Sequence, residues 1–167
     1  LNLVWAVPER RGVLRPAGVS TFGREIEWRA QRGATPDGHR REDILALNFS
    51  PSPGTDREGP TAVIRSHCAM GLERLPNGTA LELKIVPASV EGEAGLTGLV
   101  GLMKTFLALG GFFLHLDVVS GETLREAQAH PECYPYLTVR VSGWSARFVT
   151  LSRHWQEMVI NRTEQRM

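Results

Sequence analysis

The run Leu137-Thr138-Val139-Arg140-Val141-Ser142-Gly143-Trp144-Ser145-Ala146-Arg147-Phe148 lies close to the C-terminus and sets the reading of the whole chain. Thr138 to Val141 is β-branched and alternating, the pattern of a short strand. It meets a single glycine between Ser142 and Trp144, then a second short segment ending on Phe148. An isolated glycine in a strand-like run marks a tight turn, a bulge or a close backbone approach. Taken alone, these residues leave all three open.

Moving upstream, the pattern becomes regular from Asn77-Gly78, a turn signal. Thr79 to Val86 alternates Leu81, Leu83 and Ile85 with Glu82 and Lys84 and reads as a strand. Glu93 to Leu109 has helical spacing, with Leu96, Leu99, Val100, Met103 and Leu107 on one stripe expected to face a core. Gly110-Gly111 ends that helix, as glycine commonly does past a helix C-terminus. Phe112 to Val119 is apolar except at His115 and Asp117, and reads as a strand buried on both faces. Ser120 caps a short helix, Glu122 to Ala129, and Ser152 caps a last one running to about Arg162. With Leu137 to Val141 as the third strand, the tail reads strand, helix, strand, helix, strand, loop, helix. That alternation predicts an α/β fold with a parallel sheet and crossover helices.

The upstream third is less regular. Leu1 to Val7 reads as a strand, Pro8 to Gly18 as loop, and Phe22 to Gln31 as a short helix or an irregular arm. Gly33-Ala34-Thr35-Pro36-Asp37-Gly38 is a turn, and Ser50-Pro51-Ser52-Pro53-Gly54 with Gly59-Pro60 forms a rigid loop. Thr61 to Ser66 fits either a helix start or a strand.

Composition narrows the function classes. The 167 residues are 42% hydrophobic with a formal net charge of +1, enough for one domain with its own core, or for a piece of something larger. A near-neutral balance with scattered arginines gives no footprint for nucleic acid or an acidic membrane. No run reaches the roughly 18 apolar residues of a membrane span, and no secretory signal precedes the first apolar segment. Cys68 and Cys133 have neither CxxC spacing nor the number for a disulfide framework, which fits a reducing, cytoplasmic setting. The start at Leu1 rather than Met is a hint of a processed or partial chain.

Thr138-x-Arg140-Val141-Ser142-Gly143-Trp144-x-Ala146 resembles the signature of the glycyl radical enzymes, the family that includes pyruvate formate-lyase. Further landmarks follow in the family's order: the Gly33 to Gly38 turn, Ser50 to Gly54, Gly59 to Val63, Asn77-Gly78-Thr79, Gly110-Gly111, Val118-Val119-Ser120, Glu122-Thr123-Leu124, Ala127-Gln128 and His130-Pro131-Glu132. The pattern is most similar to the branch of dehydratases, arylacetate decarboxylases, choline lyase and arylsuccinate synthases. Three departures stand out. Trp144 replaces the usual Tyr, the run His39 to Asp43 is more charged, and His115 and Asp117 replace amide residues, Gln and Asn.

The resemblance implies the C-terminal part of a ten-stranded α/β barrel, with residues 1–32 an N-terminal arm and 33–167 the glycyl radical domain. Its radical loop would be 140–148, with Gly143 the catalytic residue that stores the radical and Arg140, Val141, Ser142 and Trp144 supporting it. Removing an α-hydrogen leaves a carbon that must be planar to share its electron with the flanking amide groups, and glycine has no Cβ to crowd that plane. The loop must also be closed off from oxygen and water. Val139, Val141, Trp144 and Phe148 are expected to enclose it. No cofactor would be bound. An iron–sulfur activating enzyme that cleaves S-adenosylmethionine would install the radical, under anaerobic conditions.

In the family, a second barrel loop carries a Cys, in a Gly-Cys-x-Glu-like context, whose thiyl radical attacks a small-molecule substrate. Nothing here matches that loop, so the implied partner is a larger barrel subunit supplying the thiyl Cys for lyase-type chemistry. Two other readings stay open: a spare part that replaces oxygen-damaged tails of a full-length enzyme, and a non-catalytic binding module of the same fold.

Other candidates have plainer explanations. His67 and Cys68 are adjacent and so point apart, with no further ligands at metal spacing. His115 and Asp117, two apart on a strand, share a face; they suit a general acid/base pair or a buried hydrogen-bonded pair at the barrel interior. The Gly33 to Gly38 loop lacks the GxxxxGK[ST] pattern of a phosphate cradle. Trp155 and Met158 on the last helix are assigned to the core.

Overall fold

In chain order the elements are α1 (Asn2–Trp5), α2 (Glu25–Arg29), α3 (Pro60–Cys68), β1 (Leu81–Ile85), α4 (Gly92–Ala108) and β2 (Leu114–Val118). There follow α5 (Gly121–Ala129), β3 (Thr138–Arg140), β4 (Ser145–Arg147), α6 (Arg153–Ile160) and β5 (Glu164–Gln165). The computed structural model describes residues 2–7, 11–12, 16–21, 23–36, 38–162 and 164–167. Parts of the expected Pro8 to Gly18 loop, together with Phe22 and Asp37, lie outside the described residues.

β1 and β2 pair in parallel, with Glu82 opposite His115 and Lys84 opposite Asp117. Their connection runs through α4, the crossover that parallel strands require. β5 pairs parallel on the other side of β1, giving the order β2-β1-β5. One apolar core joins Val63 and Ile64 of α3, the leucines and isoleucine of β1, and Leu102 and Phe106 of α4. A second lies under the C-terminal hairpin and joins Leu124, Val139, Val141, Phe148, Met158 and Val159.

The structure corrects several expectations. The first apolar run is a short helix, α1, with no strand beside it among the described residues to complete a ladder. Thr61 to Ser66, left between helix and strand, is helical, with Pro60 in the first turn where a missing N–H is harmless. The third strand does not join the parallel sheet. β3 turns back on β4 as an antiparallel hairpin, because the glycine three residues beyond it permits an immediate reversal. The third sheet strand is instead β5, whose two residues are too few for periodicity to reveal. Ser120 caps α5 as expected, its Oγ accepting the Thr123 N–H at 3.1 Å, whereas Ser152 makes no side-chain cap.

The largest correction concerns α4. Its buried side chains are Leu102 and Phe106, while the expected core stripe is largely exposed, Leu96 at 58% and Leu107 at 65%. The helix is apolar around most of its circumference, so its sequence offers several stripes, and contact with α3 selects the Leu102/Phe106 one. β2 likewise is only half-buried, because it is an edge strand. Phe112, Phe113 and Val118 remain exposed beside it.

Lys84 shows how the sheet and the last helix are joined. It is almost fully buried, and its Nζ donates to the carbonyls of Ile160 at 2.9 Å and Val159 at 3.5 Å. A cation there satisfies the unpaired carbonyls at the C-terminal end of α6 and sits at the negative end of its dipole. Burial pushes the ammonium pKa down, and Glu164 opposes that shift. Lys84→Met keeps the stem but leaves those carbonyls unpaired. We expect it to lower unfolding stability by about 2 kcal/mol, read as a shifted urea midpoint; an unchanged midpoint would show that the cap is dispensable.

Candidate functional site

The hairpin tip is the residue pair Ser142-Gly143. Val141 N–H donates to the Trp144 carbonyl at 2.8 Å, just beyond the Arg140–Ser145 pair. Gly143 has φ +84°, a region L side chains rarely adopt, so the turn itself selects glycine. A Cβ added there would meet no atom within 4 Å. Gly143 is exposed.

The expected enclosure is therefore not supplied by these residues. Val139, Val141 and Phe148 are fully buried, but they point into the core shared with α5 and α6, beneath the tip rather than over it. Trp144 is 47% exposed and meets Trp155 edge to face, with ring centroids 6.4 Å apart.

Below the tip, polar side chains close a ring. Arg140 Nη2 donates to the Gly143 carbonyl at 3.0 Å and lies 3.0 Å from His115 Nε2. His115 Nδ1 lies 2.8 Å from Glu82 Oε1, which also accepts from Asn48 Nδ2 at 2.8 Å. Asn48 Nδ2 in turn reaches Ser142 Oγ at 3.5 Å. The two tip residues are thus tied, one through its carbonyl and one through its hydroxyl, to the same carboxylate. Arg140 Nη1 also donates to Ser145 Oγ at 3.3 Å, bridging the hairpin.

A second set fixes the strand leading into the tip. Arg162 Nη1 donates to Asp117 Oδ2 at 2.9 Å and to the Arg140 carbonyl at 2.7 Å, and its Nη2 donates to the Val141 carbonyl. Asp117 Oδ1 accepts the Arg140 N–H at 3.1 Å. Burial raises the Asp117 carboxyl pKa, opposed first by Arg162 and then by the Arg140 N–H. Burial pushes the Arg162 guanidinium pKa down, opposed first by Asp117.

His115 and Asp117 do share a face, but they do not bond to each other. Each serves a different arginine. The sequence reading missed Asn48, Glu82 and Arg162. Asn48 interrupts the apolar run Leu45 to Phe49 and has φ +52°, a conformation asparagine tolerates better than most residues. Glu82 looked like the solvent face of an alternating strand, and Arg162 like a helix end. Both become buried contacts only once β1 is known to be central.

Beside this network opens a cavity of about 500 Å³, whose lining includes Glu25, Ser50, Pro51, Glu82, Lys84 and Arg162. Glu25 is fully buried, and burial raises its carboxyl pKa. The adjacent His67 and Cys68 are not a reactive pair. His67 Nδ1 sits 3.0 Å from the Phe49 carbonyl, and burial pushes the Cys68 thiol up, away from thiolate. Cys133 is an exposed free cysteine. Among the described residues no group of His, Cys, Asp or Glu is arranged to hold a metal ion. No helix among them is long and apolar enough to cross a membrane.

The site is thus a glycine-tipped hairpin held from below by charged side chains, on a piece of parallel α/β sheet. The sequence profile of the family described as "Glycine radical" matches residues 45–149. The chain belongs to the glycyl radical enzyme family. It is 40% identical over 149 residues to the probable dehydratase YbiW of Escherichia coli, covering 89% of this chain and 18% of that protein. It is 42% identical over 134 residues to isethionate sulfite-lyase of Desulfovibrio desulfuricans, covering 78% and 16%. The glycerol-bound structure of the B12-independent glycerol dehydratase from Clostridium butyricum superposes with a TM-score of 0.92 at 34% identity, covering 99% of this chain and 21% of that one. The chain thus spans about a fifth of the length of such relatives, and its fold is the corresponding α/β part of the barrel enzyme.

Proposed function

We propose that this chain is the radical-carrying part of a glycyl radical enzyme and that Gly143 stores the unpaired electron. One observation carries the assignment within the family. The Gly143 α-carbon stands clear of every atom a Cβ would touch, while its carbonyl is clamped by Arg140. An activating enzyme needs access to that α-hydrogen, and a cationic donor on the carbonyl favours spreading the electron onto the amide. The functional unit is residues 33–167 with its radical loop at 140–148.

An iron–sulfur enzyme that cleaves S-adenosylmethionine takes one hydrogen atom from the Gly143 α-carbon, in an oxygen-free cytoplasm. The resulting radical takes a hydrogen atom from the thiol of a Cys on the barrel polypeptide, restoring glycine and leaving a thiyl. The thiyl abstracts hydrogen from a small-molecule substrate and begins a dehydration, decarboxylation or carbon–carbon bond reaction. Within this scheme Arg140, Val141, Ser142 and Trp144 position the tip and its approach.

The exposed faces support a larger body around this unit. A helix apolar around most of its circumference belongs inside a bigger core, and α4 exposes Leu96, Val100, Met103 and Leu107. The open edge of β2, flanked by Phe112 and Phe113, offers a ladder for another strand. The barrel polypeptide would cover both and close the tip from solvent. Leu96→Glu with Met103→Glu should leave the folding of this unit intact but reduce its association with that polypeptide at least tenfold. Unchanged co-purification and unchanged turnover would argue that α4 faces water in the working enzyme. The decisive test is electron paramagnetic resonance after anaerobic activation, where a doublet is expected from the single remaining α-hydrogen.

A further inference from the structure

We propose that His115, held as the neutral Nδ1–H tautomer, is a positioning residue that latches the hairpin tip through Arg140 and releases it when the imidazole takes up a second proton. A guanidinium has only donors. Arg140 Nη2, 3.0 Å from His115 Nε2, therefore requires a lone pair on that nitrogen. The ring proton must then sit on Nδ1, where Glu82 Oε1 accepts it at 2.8 Å. The same Arg140 nitrogen donates to the Gly143 carbonyl at 3.0 Å. The chain of contacts thus has one direction, from Gly143 to Arg140 to His115 to Glu82, with His115 its only member that can exchange an acceptor for a donor by taking up a proton.

Protonating Nε2 would set an N–H against an N–H and a cation against a cation at that distance. Arg140 would lose the acceptor that aims it, and the Gly143 carbonyl would lose its clamp. The charged groups around the imidazole come from every packed element. Glu82 and Lys84 lie on β1, Asp117 is two residues along β2, Arg140 is on β3, and Arg162 follows α6. The Phe113 ring packs edge to face at 4.7 Å. Glu82 accepts the Nδ1–H in either state, whereas Arg140 loses its acceptor, so protonation keeps one contact and breaks the other.

The latch gains its functional meaning from Gly143 as the radical site. Its test is made before activation, so it succeeds or fails independently of that assignment. Hydrogen–deuterium exchange is followed by mass spectrometry on the native polypeptide that carries this chain, with rates corrected at each pH for intrinsic exchange. Protection across residues 139–148 should fall about tenfold between about pH 8 and about pH 5.5, the loss of one charge-assisted hydrogen bond. His115→Gln offers an acceptor and a donor without titrating and should abolish that dependence, whereas Asp117→Asn should retain it. Protection in the wild type that does not change with pH, or a pH dependence that persists in His115→Gln, would overturn the latch. Nitrogen-15 shifts of the wild-type imidazole give a check that needs no variant: protonated Nδ1 and bare Nε2 at neutral pH are expected, and the opposite tautomer would sink the proposal.

Discussion

Gly143→Ala should abolish the radical doublet completely after anaerobic activation while leaving the protein folded. The two halves of that expectation rest on different physics. The added methyl meets nothing within 4 Å, so no packing is disturbed. It does hold an L-residue at φ +84°, which costs about 1–2 kcal/mol. For a unit of this size that amounts to a melting temperature a few degrees lower, with circular dichroism unchanged. The radical is lost for a separate reason. A methyl on the α-carbon crowds the planar arrangement that delocalises the electron, and it stands where the activating enzyme must reach the hydrogen. A doublet that persists in Gly143→Ala would move the radical to another residue. A variant that fails to fold would show that the tip is packed against something these residues do not include, and Gly143→Ser, which carries the same backbone strain, would then fail as well.

The exposure of Gly143 bears on how activation and protection are divided. A stored radical has to be shielded, yet its own hairpin buries only the flanking Val139, Val141 and Phe148. On the proposed function, the unit holds the glycine and the shield would come from the surrounding barrel. Such a division would let the hairpin leave that cover to meet an activating enzyme without disturbing its own core, because the contacts that shape the tip travel with it. Asn48, Glu82, His115 and Arg140 all belong to the same unit.

How much of this was legible in the sequence depended on whether the signal was local. The β1 strand, the Gly110 stop of α4 and the Ser120 cap are each written in a few adjacent residues and appear where those residues place them, and the glycine at 143, open between turn, bulge and close approach, is a turn. Apart from the missing Ser152 cap, the failures required knowing what packs where. α4 has several apolar stripes, and only contact with α3 selects Leu102 and Phe106. Strand-helix alternation points β3 into the parallel sheet because it carries no sign of a chain that reverses at once. Glu82 and Lys84 read as a solvent face, and only the tertiary fold brings Asn48 and His115 onto the one and the end of α6 onto the other. His115 and Asp117 stand out because polar residues on an apolar strand need partners, yet those partners, Arg140 and Arg162, lie 25 and 45 residues away in sequence and have no periodic relation to them.

Arg162→Met should be the most destabilising substitution beneath the site, lowering unfolding stability by about 3–5 kcal/mol, because it strips the partner from a buried carboxylate. Arg162 and Asp117 are both largely buried, their side chains 13% and 12% exposed, and one guanidinium serves the carboxylate together with the carbonyls of Arg140 and Val141. A methionine fills similar space but leaves those acceptors unpaired within a low-dielectric pocket. Arg162→Lys should recover little of the loss, since a single ammonium cannot reproduce the planar fork that reaches the carboxylate and two carbonyls together. The sign of the pH dependence separates this account from simple loss of packing. Asp117 has a raised folded-state pKa, so its ionisation weakens the fold as pH rises from the unfolded value near 3.8 through the folded one. Without Arg162 that folded value should climb further, and the Arg162→Met deficit should be smallest in acid, where Asp117 is protonated in both forms, and should widen toward neutral pH. Chemical denaturation at about pH 4 and about pH 7 reads the difference directly. An equal deficit at both pH values would mean that Arg162 acts through its stem and not through its charge. The strand entering the tip would then be held by something other than the Asp117 ion pair.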